Sequence, residues 1–554
     1  MENAELVEEP WDYSRSLKEG EYRACSIPKA SADLFYPLNE SGALAYVARD
    51  ANLRAILGGD PSGWEISEVG DGNINFVFIL KGPSSCLVLK QALPYIRCIG
   101  ESWPLGLERT HFEAAALKQF ARFCPQYVPT IYKDDRSMAL LVEGYCAPPH
   151  VILRKGFIKA EEYPLLAEHV ADVLSKALFF TSLLSCDTSA HRQLTAEFCE
   201  NVQMRMVTEQ VVFTEPYVLS RNNRWTTPQL DNEVMDLRKD SRLKVAAAQM
   251  KAKFCERAQA LIHGDLHSGS IMVTQTSTQV IDAEFAFVGP MAFDLGCYIA
   301  NVMLSFFSQD GLPLSPSSSP SPSSVSPDCD PSSVDDGGNA LSSSPSSRDE
   351  GSNTEISAEM SEVDDGRRVS ADRRHSYKQW LVRLIECTWT IFAHKLRLLW
   401  AEHSSPSVSS CPTEKAAQGG GIKLGRGGGE RGGGEGGGGG GDAYPLPVYC
   451  GVEDGDTTLA IAQDEFLREL LEDSVGFAGV EMIRRIVGIA HVEDFECIDD
   501  VEIRAGCELR ALRFARSNLV NRREIPTIHE LVHRLSMTSK IRSGGQVAPE
   551  TSKF

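Results

Sequence analysis

One stretch constrains this chain more than any other: Leu261-Ile262-His263-Gly264-Asp265-Leu266-His267-Ser268-Gly269-Ser270, followed by Val280-Ile281-Asp282-Ala283-Glu284-Phe285. Between the two, Ile271, Met272 and Val273 form a short apolar run. Gln275, Thr276, Ser277 and Thr278 form a polar turn, and Gln279, Val280 and Ile281 resume the run. Two such runs around a polar turn predict a β-hairpin. A hairpin brings its ends together, so Asp265 and Asp282 would face one small space. A lone Asp is most often a turn residue or a helix cap. Asp282 and Glu284 directly after an apolar strand, with Asp265 before it, point to chemistry.

Phosphoryl transfer needs such a space. One carboxylate orients and deprotonates the attacking hydroxyl, and others hold Mg²⁺ on the nucleotide phosphates. Protein kinases place an Asp in a loop and a metal-binding Asp at the end of the following hairpin. The order here is the same, with Asp265 as the catalytic base and Asp282 and Glu284 as the metal pair.

The N-terminal part supplies candidates for holding the nucleotide. Gly70 and Gly72 form a turn before the strand-like run Ile74 to Leu80. Glycines let backbone N–H groups approach phosphates, although Asp-Gly is also a common hairpin turn. Asn75 stands where a phosphate-loop pattern would carry its third Gly. Lys90 ends the apolar strand from Cys86 and would meet the phosphates, unless it reaches solvent as strand-end lysines usually do. Glu113, on a helical stretch, is its candidate partner, with Glu108 the alternative. Met138 to Val142 read as the strand before a hinge, Glu143-Gly144-Tyr145-Cys146, whose backbone would read the adenine edge. Trp103 before Pro104 could cover a small apolar group in a loop or anchor that loop in the core.

The C-terminal part holds one more anomaly. Arg484 and Arg485 lie inside an apolar helical stretch from Val475 to Val492. Adjacent helical residues point about 100° apart, so both cannot reach bulk solvent. A buried charge needs a partner, either a substrate group or a structural carboxylate such as Glu481. The apolar period over 162–185, Leu165 included, predicts a large-lobe helix; 230–260 also read as helical. Asp294 would brace the catalytic loop.

These strings are similar to those of methylthioribose kinases, small-molecule kinases near the aminoglycoside and choline kinases. The matching pieces are HGDLHSGSIMV with VIDAEFAFVGPMAFDLG, DGNIN, KQALPY with GESWPL, and FAGVEMIRRIVGIAHV. The resemblance covers residues 37 to about 535, two inserts excepted. It implies an α+β, protein-kinase-like two-lobe fold, with a five-stranded antiparallel small lobe over a mostly helical large lobe and ATP between them. It implies transfer of the ATP γ-phosphoryl to the 1-hydroxyl of 5-methylthioribose, a step of methionine salvage. In that picture Asp265 is the base and Asp282 and Glu284 bind Mg²⁺, with Ala283 between them where the family has Pro. Lys90, aligned by Glu113, contacts the phosphates that Gly70, Gly72 and Asn73 cover. Gly144, Tyr145 and Cys146 take the base; Trp103, Arg484 and Arg485 meet the sugar. Ser270 stands where kinase relatives usually carry a metal-binding Asn. The family also implies a homodimer.

Composition bounds the rest. A formal net charge of −21 argues against nucleic acid or an anionic membrane as a partner. Fifteen scattered cysteines without a CxxC pair fit a reduced, cytoplasmic protein. The acidic start lacks an apolar leader, and no membrane span is expected. The final Ser552-Lys553-Phe554 is one residue from a peroxisomal address, far behind cytosol as a reading. The expected organisation is an extension (1–36), a small lobe with hinge (37–146), and the first part of the large lobe (147–308). A Ser/Pro insert (309–375), a helix (376–402) and a Gly/Ser insert (403–443) follow, then C-terminal helices (444–535) and a tail (536–554). The inserts are too poor in large apolar groups to offset their ordering entropy. The rival functions are a kinase of choline, an aminoglycoside or homoserine, and a non-catalytic scaffold.

Overall fold

The computed structural model describes residues 35–70, 74–97, 100–313, 354–404 and 455–540. Gly72, Asn73, both low-complexity tracts over 314–353 and 405–454, and the terminal stretches 1–34 and 541–554 lie outside the described residues.

The chain enters through α1 (Glu40–Arg49) and α2 (Ala51–Leu57). Asn39 caps α1 by accepting from the Gly42 N–H, and Asp50 caps α2 through Asn52 and Leu53. Strands β1 (Glu65–Glu68), β2 (Phe76–Lys81) and β3 (Cys86–Gln91) follow. After a small ribbon of β4 (Tyr95–Ile96) and β5 (Gly100–Pro104) comes α3 (Arg109–Ala121), then β6 (Ile131–Asp135) and β7 (Leu140–Gly144). The main sheet is antiparallel, in the order β1-β2-β3-β7-β6.

Strand alternation decides which face does what. Phe78, Leu80, Leu87, Leu89, Leu140 and Val142 join Val47, Leu53 and Leu57 in one apolar cluster. The register pairs Lys90 with Leu141 and Val88 with Glu143, so these four share the opposite face. That face carries Lys90 toward α3, which brings up Glu113.

The rest is mostly helical. It begins with β8 (Val151–Ile152), α4 (Leu153–Ile158), α5 (Leu166–Phe180), α6 (Thr188–Cys199), α7 (Val202–Val211), α8 (Asp231–Lys239) and α9 (Ser241–Glu256). Then come β9 (Ala260–Ile262), β10 (Ile271–Val273), β11 (Thr278–Val280), β12 (Phe287–Gly289) and α10 (Met291–Ser308). It closes with α11 (Thr354–Ser404), α12 (Gly455–Val487), α13 (Val501–Val520) and α14 (Ile528–Lys540). Helix α10 packs along α12, α12 along α13, and α11 along α5. Among the described residues, α10 alone is long and apolar enough to cross a membrane by length and composition, and it is wholly enclosed by the protein.

Several boundaries differ from the sequence reading. Helix α5 starts at Leu166, after Pro164, which leaves Leu165 exposed rather than in the core. The helical stretch 230–260 breaks at Asp240, which caps α9 through Arg242 and Leu243. The stretch 309–375 is structured at both ends. Gln309 is buried with its amide donating to the Phe157 carbonyl, Leu312 is buried, and α11 starts at Thr354. Average composition hid these few anchoring residues. Likewise α14 runs past 536, because Leu531, Val532 and Leu535 give it a buried face.

Candidate active site

The site is built on the loop after β9. Gly264 turns the chain there with φ +82°, and a Cβ would come 2.2 Å from the Phe285 carbonyl oxygen. Only glycine fits both conditions. Asp294, in the first turn of α10, accepts from the His263 N–H (2.7 Å) and the Gly264 N–H (2.9 Å). It therefore braces the loop, as the sequence suggested. His263 ties the loop to the far side of the hairpin, with Nε2 2.8 Å from the Ile281 carbonyl oxygen. Strands β10 and β11 pair Ile271 with Val280, and the Ile281 N–H donates to the Ser270 carbonyl (3.0 Å). The predicted hairpin thus brings Asp265 and Asp282 to one space.

On one side of that space lie the carboxylates expected to hold metal. Asp282 sits at φ +71°, a conformation costing an L-residue about 1–2 kcal/mol. Its side chain remains 43% exposed, and its Oδ1 accepts from Lys90 Nζ at 2.7 Å. Lys90 also donates to Glu113 at 2.5 Å, so Glu113 and not Glu108 is its partner. Burial would lower the Lys90 pKa, but Asp282 and Glu113 outweigh it and raise the pKa well above the usual value. Burial pushes Glu113 up to about 8 against the pull of Lys90. Glu284 is buried, and its Oε2 accepts from Asn75 Nδ2 (2.9 Å) and lies 3.5 Å from Arg109 Nε. Burial, then the charge of Asp282, pushes Glu284 up to about 8, with Arg109 opposing. A carboxylate pair in mutual repulsion is a donor set that a hard divalent cation would relieve. Ala283 between them is fully buried and offers no polar side chain.

On the other side lies Asp265. Its Oδ1 accepts from Arg484 Nη2 (3.0 Å) and stands 3.6 Å from Arg485 Nη2; its Oδ2 is 3.3 Å from His267 Nε2. Burial raises its pKa, but His267, Arg484 and Arg485 outweigh burial and hold it well below the carboxylate range. Both arginines are also held by Glu481, which accepts from Arg484 Nε (2.6 Å) and Arg485 Nε (2.8 Å). The structural-carboxylate reading of the arginine pair holds: Glu481 anchors them, and their outer nitrogens turn toward Asp265.

Trp103 lies in β5, not in a loop, because its segment pairs with β4. It packs against a cluster of Ile96, Leu105 and Met204, as do Ile74, Val207 and Phe285. Phe285 follows Glu284 directly, so this apolar cluster borders the carboxylate pair. At the hinge, the Gly144 N–H is committed to the Thr130 carbonyl (2.9 Å), and Tyr145 and Cys146 follow half-buried. Gly70 has open space around its Cα.

Comparison with known proteins agrees with this geometry. The phosphotransferase enzyme family matches residues 65–312. Methylthioribose kinase 1 of Oryza sativa subsp. japonica is 41% identical over 498 residues, 90% of this chain and 94% of the relative. The methylthioribose kinase of Escherichia coli O45:K1 is 36% identical over 476 residues, 86% of this chain and 91% of the relative. The chain belongs to the methylthioribose kinases. It is an enzyme of that family, with the two-lobe α+β fold described above.

In this methylthioribose kinase several site residues carried no role in the sequence reading. His267 faces Asp265. Arg154 reaches Ser268 (3.2 Å), Asn301 (3.1 Å) and Asp494 (3.3 Å). Arg109 and Asn75 hold Glu284 and each other, with Arg109 Nε 2.8 Å from Asn75 Oδ1. Glu143 is buried on the cleft face, with Oε2 unpartnered among the described residues; burial raises its pKa. The strand pattern that placed Lys90 on the cleft face would have placed Glu143 there too.

Proposed function

We propose that this methylthioribose kinase transfers the γ-phosphoryl of ATP to the 1-hydroxyl of 5-methylthioribose, giving 5-methylthioribose 1-phosphate and ADP in methionine salvage. One observation supports this most: a carboxylate held ionised by two arginines faces, across one hairpin, a carboxylate pair and a buried Lys–Glu pair. Asp265 orients the hydroxyl and takes its proton. Lys90, aligned by Glu113, meets the α- and β-phosphates, and the turn with Gly70, Gly72 and Asn73 covers them. Asp282 and Glu284 would hold Mg²⁺, which neutralises charge on the phosphates. Among the described residues no cluster of three or more His, Cys, Asp or Glu forms a metal cage. That accords with a magnesium ion held by two carboxylates and the nucleotide itself.

Arg484, with Arg485 beside it, would meet the sugar and stabilise charge on the moving phosphoryl. Trp103 and its apolar neighbours suit a methylthio group. Gly144, Tyr145 and Cys146 line the adenine side. Family membership also supports a homodimer working in the cytoplasm, which sedimentation and fractionation would test. ³¹P NMR of a reaction with ATP, Mg²⁺ and 5-methylthioribose tests the chemistry. A new phosphomonoester signal coupled to the anomeric proton is expected. Coupling to another sugar proton would overturn the regiochemistry.

A further inference from the structure

The catalytic loop contains a histidine that the scheme above leaves idle. His267 is nearly buried, and its two ring nitrogens have different neighbours. Nδ1 accepts from the Gly269 N–H at 2.9 Å. A backbone amide can only donate, so this contact leaves Nδ1 without a proton and puts the hydrogen on Nε2. Nε2 is the atom that lies 3.3 Å from Asp265 Oδ2. Burial lowers the His267 pKa despite Asp265, which keeps the ring neutral in that tautomer.

Asp265 has about four lone-pair sites. Arg484 and Arg485 approach Oδ1, and His267 approaches Oδ2. One site on Oδ2 is then left for an incoming hydroxyl, and Asp265 is still 23% exposed to receive one. Ser270 completes the arrangement. Its hydroxyl donates to the Asp265 carbonyl at 2.9 Å and lies 3.2 Å from His267 Nδ1. At 1% exposure, Ser270 is buried within the loop.

We infer that His267, locked as its Nε2–H tautomer by the Gly269 amide, is a positioning residue that aims Asp265, in a loop that Ser270 braces. The inference rests on Asp265 being the base. Contacts of this kind are often long before substrate binds and tighten in the reacting complex.

Three variants test it. His267→Ala is expected to lower kcat about 100-fold, the scale of a misplaced reacting group, while the KM for ATP stays within about twofold. His267→Gln places an amide nitrogen where Nε2 lies and should recover kcat to within about fivefold of wild type. His267→Asn mimics Nδ1 instead and should not recover it. Equal losses in the Ala and Gln variants, or an Ala variant within about twofold of wild type, would overturn the inference. Long-range ¹H–¹⁵N correlation on the ¹⁵N-histidine-labelled wild-type protein, with His267 assigned by its Gln variant, reads the tautomer without turnover. A neutral Nε2–H ring is expected, and an Nδ1–H ring would overturn the inference by itself. A wild-type protein with the Nε2–H ring but no turnover of 5-methylthioribose would instead sink the functional reading on which it rests.

Discussion

The two sides of the cleft handle their charges differently. Around Asp265 the structure gathers Arg484, Arg485 and, behind them, Arg154, and the carboxylate they face is held ionised. Around Asp282 it gathers Glu284, Glu113 and Glu143 against Lys90 and Arg109. There burial and mutual repulsion push Glu284 and Glu113 up to about 8. One side has its cations paired with carboxylates, Arg484 and Arg485 with Glu481 and Asp265 and Arg154 with Asp494. The other has carboxylates in want of a cation. The proposed magnesium nucleotide would have its metal held by Asp282 and Glu284 and its terminal phosphoryl met by Arg484 and Arg485. Under the proposed function, the fold would hold these charged groups in place before either substrate arrives.

Breaking the cationic side should have the largest effect. Asp265→Asn removes the base and should reduce kcat about 1,000-fold, with nucleotide affinity within about threefold by fluorescence titration. Arg484→Met comes next, at about 100-fold in kcat. It also removes a charge that depresses the Asp265 pKa. A base works only above its pKa, so activity falls as pH drops through that value. The wild-type acid limb due to Asp265 should lie below the usual carboxylate range, and the variant's limb should move up. A pH profile of kcat/KM checks both.

The carboxylate side should respond to protons. With Glu284 pushed up to about 8, a metal ion bound there would compete with a proton. Apparent Mg²⁺ affinity should therefore rise about tenfold per pH unit up to about pH 8 and then level off. Calorimetry in buffers of different ionisation enthalpy would detect the released proton, and Glu284→Gln should abolish it. The smallest effect is expected at the brace between the two sides. Asp294→Asn keeps one acceptor but loses the charge shared by the His263 and Gly264 amides, costing about 1.5–3 kcal/mol in chemical denaturation.

The sequence made the local parts of this site readable. Asp265, Asp282 and Glu284 follow from a hairpin spelled by neighbouring residues, and Lys90 from a strand that ends in charge. What it could not show are contacts between distant segments. Arg484 reaches Asp265 across 219 residues and Asn75 reaches Glu284 across 209, and no period or spacing encodes either. Asn75 was visible only as a missing glycine; the structure makes it a support for Glu284. Trp103 read as a loop residue because its two-residue partner strand is too short to show a pattern. Helix α11 begins at Thr354, earlier than composition suggested.

The most direct measurement is ADP release by the full chain with ATP and Mg²⁺, offered 5-methylthioribose, ribose and choline in turn. The account predicts turnover with 5-methylthioribose and none with choline, in keeping with the methylthioribose kinases to which the chain belongs. Turnover of ribose or choline at an equal rate would contradict the substrate assignment while leaving the catalytic acids in place. Tight ATP binding with no ADP release from any of the three would contradict the central claim that Asp265 and the facing carboxylates form a working phosphoryl-transfer site.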